Sequence, residues 1–154
     1  MGGGVSSEVA RLAFFAGAWE GHGKFLDTGI AQPVLRVEGA FRHRGHWLEQ
    51  RFSWIEQGEG LDVLEATRLW GYDAAERRFV SEWFDSRGRR ATVTSPGWTG
   101  DRLVAEAVIL DGGHRVQARE TFVRVGDDEW RHLAEADTGQ GWTLIEEQTL
   151  RRVG

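Results

Sequence analysis

Beyond Gly17 the apolar side chains of this sequence recur at every second position, segment after segment, almost to its last residue. Such alternation marks strands with one buried face, because successive side chains point to opposite sides of a sheet. It runs through ten segments: 18–26, 33–43, 46–56, 61–72, 77–85, 89–95, 102–110, 114–125, 129–137 and 142–152. Turn formers stand between them, among them Asp27-Thr28-Gly29, Gln57-Gly58-Glu59-Gly60, Ser86-Arg87-Gly88, Asp111-Gly112-Gly113 and Gly139-Gln140-Gly141. Short strands at near-regular spacing with tight turns predict an all-β chain, an antiparallel up-and-down meander that closes into a barrel of about ten strands. A barrel of that size has an interior wide enough for a guest. Its first strand carries Gly17, Trp19, Gly21 and Gly23 at alternate positions, so one face is bare except for a single indole. Glycine weakens a strand and is kept where backbone or ligand must approach closely.

Ahead of the strands, residues 7–15 have helical spacing. Val9, Leu12 and Phe15 form an apolar stripe, Ser6 or Ser7 serves as cap, and Gly17 stops the helix. This short helix is expected to plug or lid one end of the barrel. Residues 1–6 read as a flexible start and 7–154 as one domain, since no linker or low-complexity block divides the chain. With 19 basic and 24 acidic side chains, a net charge of -5 and no basic run, a nucleic-acid partner is not expected. The apolar runs are too short to span a bilayer, so no membrane partner is expected either. Cysteine is absent, which rules out disulfides and thiolate metal sites and fits a cytoplasmic location.

Alternation also assigns an inner face to most strands. Leu35 and Val37, Leu48 to Trp54 at even numbers, Leu64 to Tyr72 at even numbers, and Phe79, Ser81 and Trp83 point inward. So do Val116 to Phe122, Trp130 to Ala136 and Trp142 to Leu150, again at even numbers. The segments 89–95 and 102–110 are too even-handed to orient. Trp47 and Phe84 fall outside and mark a candidate homodimer surface.

This parity puts several polar residues inside: Gln50, Arg68, Tyr72, Glu120, His132, Glu146 and Gln148. Buried charge is costly unless paired. A hairpin turn at 139–141 brings His132 opposite Glu146 or Gln148, within bonding reach. A neighbouring carboxylate raises the imidazole pKa and burial lowers it. Such a pair serves as a general base, holds a polar group of a ligand, or is simply a satisfied cluster with Arg68 neutralising Glu120 or Glu146. The histidines at 22, 43, 46, 114 and 132 lack zinc spacing, so no metal is expected. No nucleophile elbow, phosphate loop or dinucleotide fingerprint is present. Trp19 either stacks on a guest or plugs the barrel beneath Arg151 or Arg152 through a cation–π contact. Trp98 either covers the mouth or anchors its own loop.

Gly17-x-Trp19 after a short helix, with an arginine near the end of the last strand, resembles the lipocalin/calycin pattern. The wider Gly17-x-Trp19-x-Gly21-x-Gly23 is similar to the motif of nitrobindin-like haem-binding barrels. Over nearly its whole length the chain resembles a bacterial lipocalin-like family of unknown function, through Leu69-Trp70-Gly71-Tyr72-Asp73, Trp83-Phe84-Asp85-Ser86-x-Gly88 and Leu150-Arg151-Arg152. The resemblance implies a ten-stranded barrel. It also implies haem held by a histidine in the last strand, yet 142–150 contain none and His132 is the nearby substitute.

The expected function is to bind a small, mostly apolar or aromatic molecule inside the barrel. Phe52, Trp54, Trp70 and Trp83 would form its walls, and Arg68, Tyr72, Glu120, His132, Glu146 and Gln148 would orient it. One alternative is an isomerase or cyclase acting on a hydrophobic metabolite, with His132 and Glu146 as proton shuttle. Another is a nitrobindin-like haem binder; apart from haem no cofactor is expected.

Overall fold

Strands occupy nearly all the alternating segments in the computed structural model, which describes residues 7–26, 28–54 and 64–154. They are β1 (Gly17–Phe25), β2 (Leu35–Arg42), β3 (Trp47–Trp54), β4 (Glu65–Asp73), β5 (Arg78–Asp85) and β6 (Arg90–Ser95). After the two-residue β7 (Trp98–Thr99) come β8 (Arg102–Asp111), β9 (His114–Arg124), β10 (Glu129–Asp137) and β11 (Trp142–Val153). The expected flexible start, the Ser6 cap, Asp27, and the strand ends and turn within 55–63 lie outside the described residues.

Sequence neighbours pair antiparallel from β1 to β6 and from β7 to β11, β1 joins β2 to β11, and β6 pairs with β8. The ring is therefore closed, a ten-stranded antiparallel barrel, and β7 is a short extra strand on β8. Closure removes the unpaired sheet edges that an open meander would expose.

The predicted inner faces of β2, β3, β4, β5, β9 and β10 are the buried ones. In β6 and β8 the inward residues are Ala91, Val93 and Ser95, and Leu103, Ala105 and Ala107. Small residues on the inner face left the two faces nearly equal in apolar content. The last strand departs from expectation. Glu146 pairs with Ala134, but Leu144 pairs with Glu135, so one residue is inserted between them. A bulge of this kind exchanges the two faces beyond it. Trp142 and Leu144, expected inside, are 44% and 38% exposed, and the inserted Ile145 turns to the interior. Trp142 lies instead under the Arg119 guanidinium, 4.6 Å from its ring.

The predicted helix is a 3-10 helix over Val9–Phe15, with Glu8 at its N-cap and no side-chain capping bond. Ser7 does not fill the capping role expected of it. Val9, Leu12 and Phe15 are buried in one end of the barrel, so the helix is a plug. Ala16 is extended and Gly17 takes φ +104°, which turns the chain from the helix into β1. Trp19 is fully buried and donates from Nε1 to the Phe15 carbonyl at 3.2 Å. The Arg152 guanidinium stands 4.1 Å above its ring. It also donates to the carbonyls of Ala16 (2.9 Å), Phe14 (3.4 Å) and Asp127 (3.2 Å). Trp19 is thus the structural plug of its two readings, and Arg152 the partner. Trp98 stacks on Phe15 at 5.5 Å and donates to the Arg11 carbonyl at 3.0 Å, so it anchors its loop at this closed end.

Gly21 and Gly23 do not face empty space. A Cβ on Gly21 would collide with the Thr149 carbonyl, and one on Gly23 with the Glu147 carbonyl and the side chains of Gln148 and Gln32. On the outer face Trp47 lies over Gly71, and Phe84 is exposed.

Candidate functional site

Below the plug the barrel core is solid; toward the other end it opens into a cavity of about 200 Å³. The walls follow from strand parity. Phe52 and Trp54 come from β3, Trp83 from β5, Ile109 from β8 and Phe122 from β9, with Ile145 added by the bulge in β11. Alanines at 91, 107, 118 and 134 line it too and leave room between the large rings.

A continuous polar chain runs along one side. Arg68 donates from Nη1 and Nη2 to the two Glu120 carboxylate oxygens at 3.0 and 2.8 Å. Glu120 Oε1 also lies 2.9 Å from His132 Nε2. His132 Nδ1 is 3.0 Å from Gln148 Oε1. Gln148 donates to Gln32 Oε1 at 2.9 Å, and Gln32 donates to Glu146 Oε2 at 3.0 Å. The Arg68 guanidinium is enclosed by the rings of Trp70, Trp83 and Phe122, 5.2 to 5.4 Å away. At the mouth Arg89 is held by Asp85 at 2.9 Å, and Asp85 also accepts from Trp83 Nε1 at 3.1 Å.

The direction of this chain fixes the charge on His132. Gln32 presents its amide nitrogen to Glu146 and its oxygen to Gln148. Gln148 then turns its own oxygen toward His132, which must donate from Nδ1. At the other end the Glu120 carboxylate requires a donor on Nε2. Both ring nitrogens carry protons, so the imidazole is an imidazolium between two carboxylates.

Burial, the largest influence on His132, pushes its pKa down. The hydrogen bond and charge of Glu120 and the charge of Glu146 outweigh it, against a smaller opposing effect of Arg68, and the pKa is raised. Burial likewise pushes Glu120 up, but Arg68 and His132 hold it far below the ordinary carboxylate range. For a raised imidazole the stabilisation is complete below its unfolded pKa and is lost as pH rises through the folded value. The melting temperature should therefore fall from neutral to moderately alkaline pH. His132→Gln should flatten that slope, and an unchanged slope in the variant would assign it to another group.

Phe52, Trp54, Arg68, Trp83, Glu120, His132, Glu146 and Gln148 all line the cavity, as parity anticipated. Trp70 and Tyr72 do not. Trp70 is fully buried and donates to Gln50 Oε1 at 2.9 Å, and Tyr72 packs on Phe79 at 5.1 Å. Sequence reasoning missed Gln32, which lies before β2 in a segment without alternation, and Ile145, which is turned inward by the bulge. Glu146 itself stands 3.9 Å from His132 Nδ1, beyond hydrogen-bond reach. The residues do not fit the haem expectation. Both His132 nitrogens are engaged, and β11 offers the cavity Ile145, Glu146 and Gln148 rather than an imidazole.

No protein-family model matches the chain, and no curated protein does. Among solved structures it is similar to the crystal structure of Rv2717c from M. tuberculosis, at 17% identity over 97% of this chain and 99% of that one, with a TM-score of 0.70. It is also aligned with a redesigned β-barrel, mFAP1, bound to DFHBI, at 12% identity over 92% of this chain and 98% of that one, with a TM-score of 0.42. The first likeness supports the barrel fold.

Proposed function

We propose that this protein binds a small, mostly apolar or aromatic molecule in the open half of its barrel. The carrying observation is a cavity of about 200 Å³ walled by aromatic and aliphatic side chains, with a fixed polar chain along one side. Pockets for small molecules have this anatomy, apolar walls with a few placed polar groups. The proton-shuttle reading draws less support, because an imidazole donating from both nitrogens has no free lone pair to accept a proton. The Trp19–Arg152 stack supports the lipocalin/calycin-like kinship.

A two-dimensional NMR titration with toluene and naphthalene tests the reading. The indole N–H signals of Trp54, Trp83 and Trp130, which line the cavity, should shift saturably. Ala107→Phe, which fills the cavity from β8, should abolish the shifts while the barrel still melts cooperatively. Absence of saturable shifts with both probes, or undiminished binding in the folded variant, would overturn the proposal.

A further inference from the structure

We propose that the guest is a neutral arene carrying one N–H or O–H donor, a phenol or indole type of molecule, and that Glu146 Oε1 receives that donor. This deepens the binding reading above and rests on it. The polar chain engages the hydrogen-bonding groups of its members in a definite order, Arg68 Nε apart, which is buried against the Trp70 and Trp83 rings without a partner among the described residues. Gln148 uses both ends of its amide, His132 uses both ring nitrogens, and Glu120 uses both oxygens. Gln32 uses its oxygen on Gln148 and a nitrogen on Glu146. Glu146 is different. Its Oε2 accepts from Gln32, but Oε1 accepts from no described residue, and its nearest charged neighbour, His132 Nδ1, is 3.9 Å away and already committed to Gln148. A carboxylate oxygen in an apolar-walled cavity is thereby left for the guest.

Charge selects a neutral donor over a cation. Arg68 and His132 balance Glu120 and Glu146, Asp85 balances Arg89, and Arg87 brings a further positive charge to the lining, so an ammonium guest would add unbalanced positive charge beside the imidazolium. An anionic guest would set its charge against Glu146. Size selects one substituted ring or a fused pair, since a cavity of about 150 Å³ accepts benzene and this one is about 200 Å³. The bulge serves this geometry. In the same sequence run as a regular strand, without the bulge, alternation would carry Trp142 and Leu144 rather than Ile145 to the inner face beside Glu146.

The test compares indole with indene, which share a fused skeleton and differ in the N–H, and phenol with toluene, by NMR titration of the full chain. The donor partner should bind about tenfold or more tightly in each pair, the worth of one hydrogen bond to a charged group. In Glu146→Gln the amide oxygen takes the Gln32 bond and the amide nitrogen occupies the Oε1 position. A donor guest then meets a donor, so the preference should fall to roughly twofold or less while indene and toluene bind as before. Equal binding of both partners to the wild-type protein would overturn the inference and leave the binding proposal standing. Saturable binding by neither would overturn the binding proposal itself. An undiminished preference in Glu146→Gln would remove Glu146 as the receiving group. The wild-type comparison decides on its own if the variant fails to fold.

Discussion

Glu120→Leu should destabilise the barrel by about 3–5 kcal/mol, measured by urea unfolding at neutral pH. Three charge-assisted bonds end on this carboxylate, two from Arg68 and one from His132. The side chains of Arg68 and His132 are only 5% and 11% exposed. Removing Glu120 leaves two cations side by side with little access to water, and Glu146 reaches neither within hydrogen-bond distance. The rings around Arg68 soften the loss, since they still face the guanidinium. The size of the effect is the penalty of stranding charge rather than the net worth of the pair. The double variant Arg68→Met with Glu120→Leu should therefore recover a large part of it, because a buried ion pair exchanged for apolar groups is often close to neutral. A loss below about 1 kcal/mol for the single variant, the range of exposed ion pairs, would mean that water reaches the cluster. Simple additivity of the two changes would mean that the partners are not coupled.

The same cluster shows what a strand sequence encodes. Period-two alternation states which face a side chain occupies, and one misplaced polar residue on an apolar face stands out. Arg68, Glu120, His132 and Gln148 were legible for that reason. Depth along the barrel axis is not in the period. Trp70 and Tyr72 share the parity of Arg68, but they lie farther along β4, toward the plugged end, where the interior is solid. Nor does alternation announce its own interruption. Ile145 is flanked by Leu144 and Glu146, and either parity gives β11 an amphipathic pattern, so the bulge becomes visible only through pairing with β10. Gln32 lay beyond reach for a third reason. It is buried from an irregular segment joined to β1 by a single bridge at Lys24 and Ala31, where no periodicity exists to read.

Gly21→Ala should cost about 3 kcal/mol or more, at the upper end of overpacking penalties. The obstructing atoms are backbone, the Thr149 carbonyl group and the Leu150 Cα, so no rotamer change relieves the clash. Gly21 pairs directly with Leu150, and β11 must move away from β1 to admit a methyl group. Hydrogen exchange should then accelerate at the amides joining these two strands before it does elsewhere. Gly113→Ala is the control. That position has negative or extended φ and open space around it, so its effect should stay within about 0.5 kcal/mol. Unchanged stability in Gly21→Ala would mean that β11 can move away from β1 at little cost. Gly23→Ala separates seam from site, because its added carbon meets Gln148 and Gln32 as well as the Glu147 carbonyl. It should displace the two amides that relay between His132 and Glu146, and so weaken the preference for donor-bearing guests along with the fold. The bare face of the first strand thus acts on the cavity from outside it. By letting β1 press against β11, it holds Gln32 close enough to complete the chain that leaves Glu146 Oε1 without a donor among the described residues.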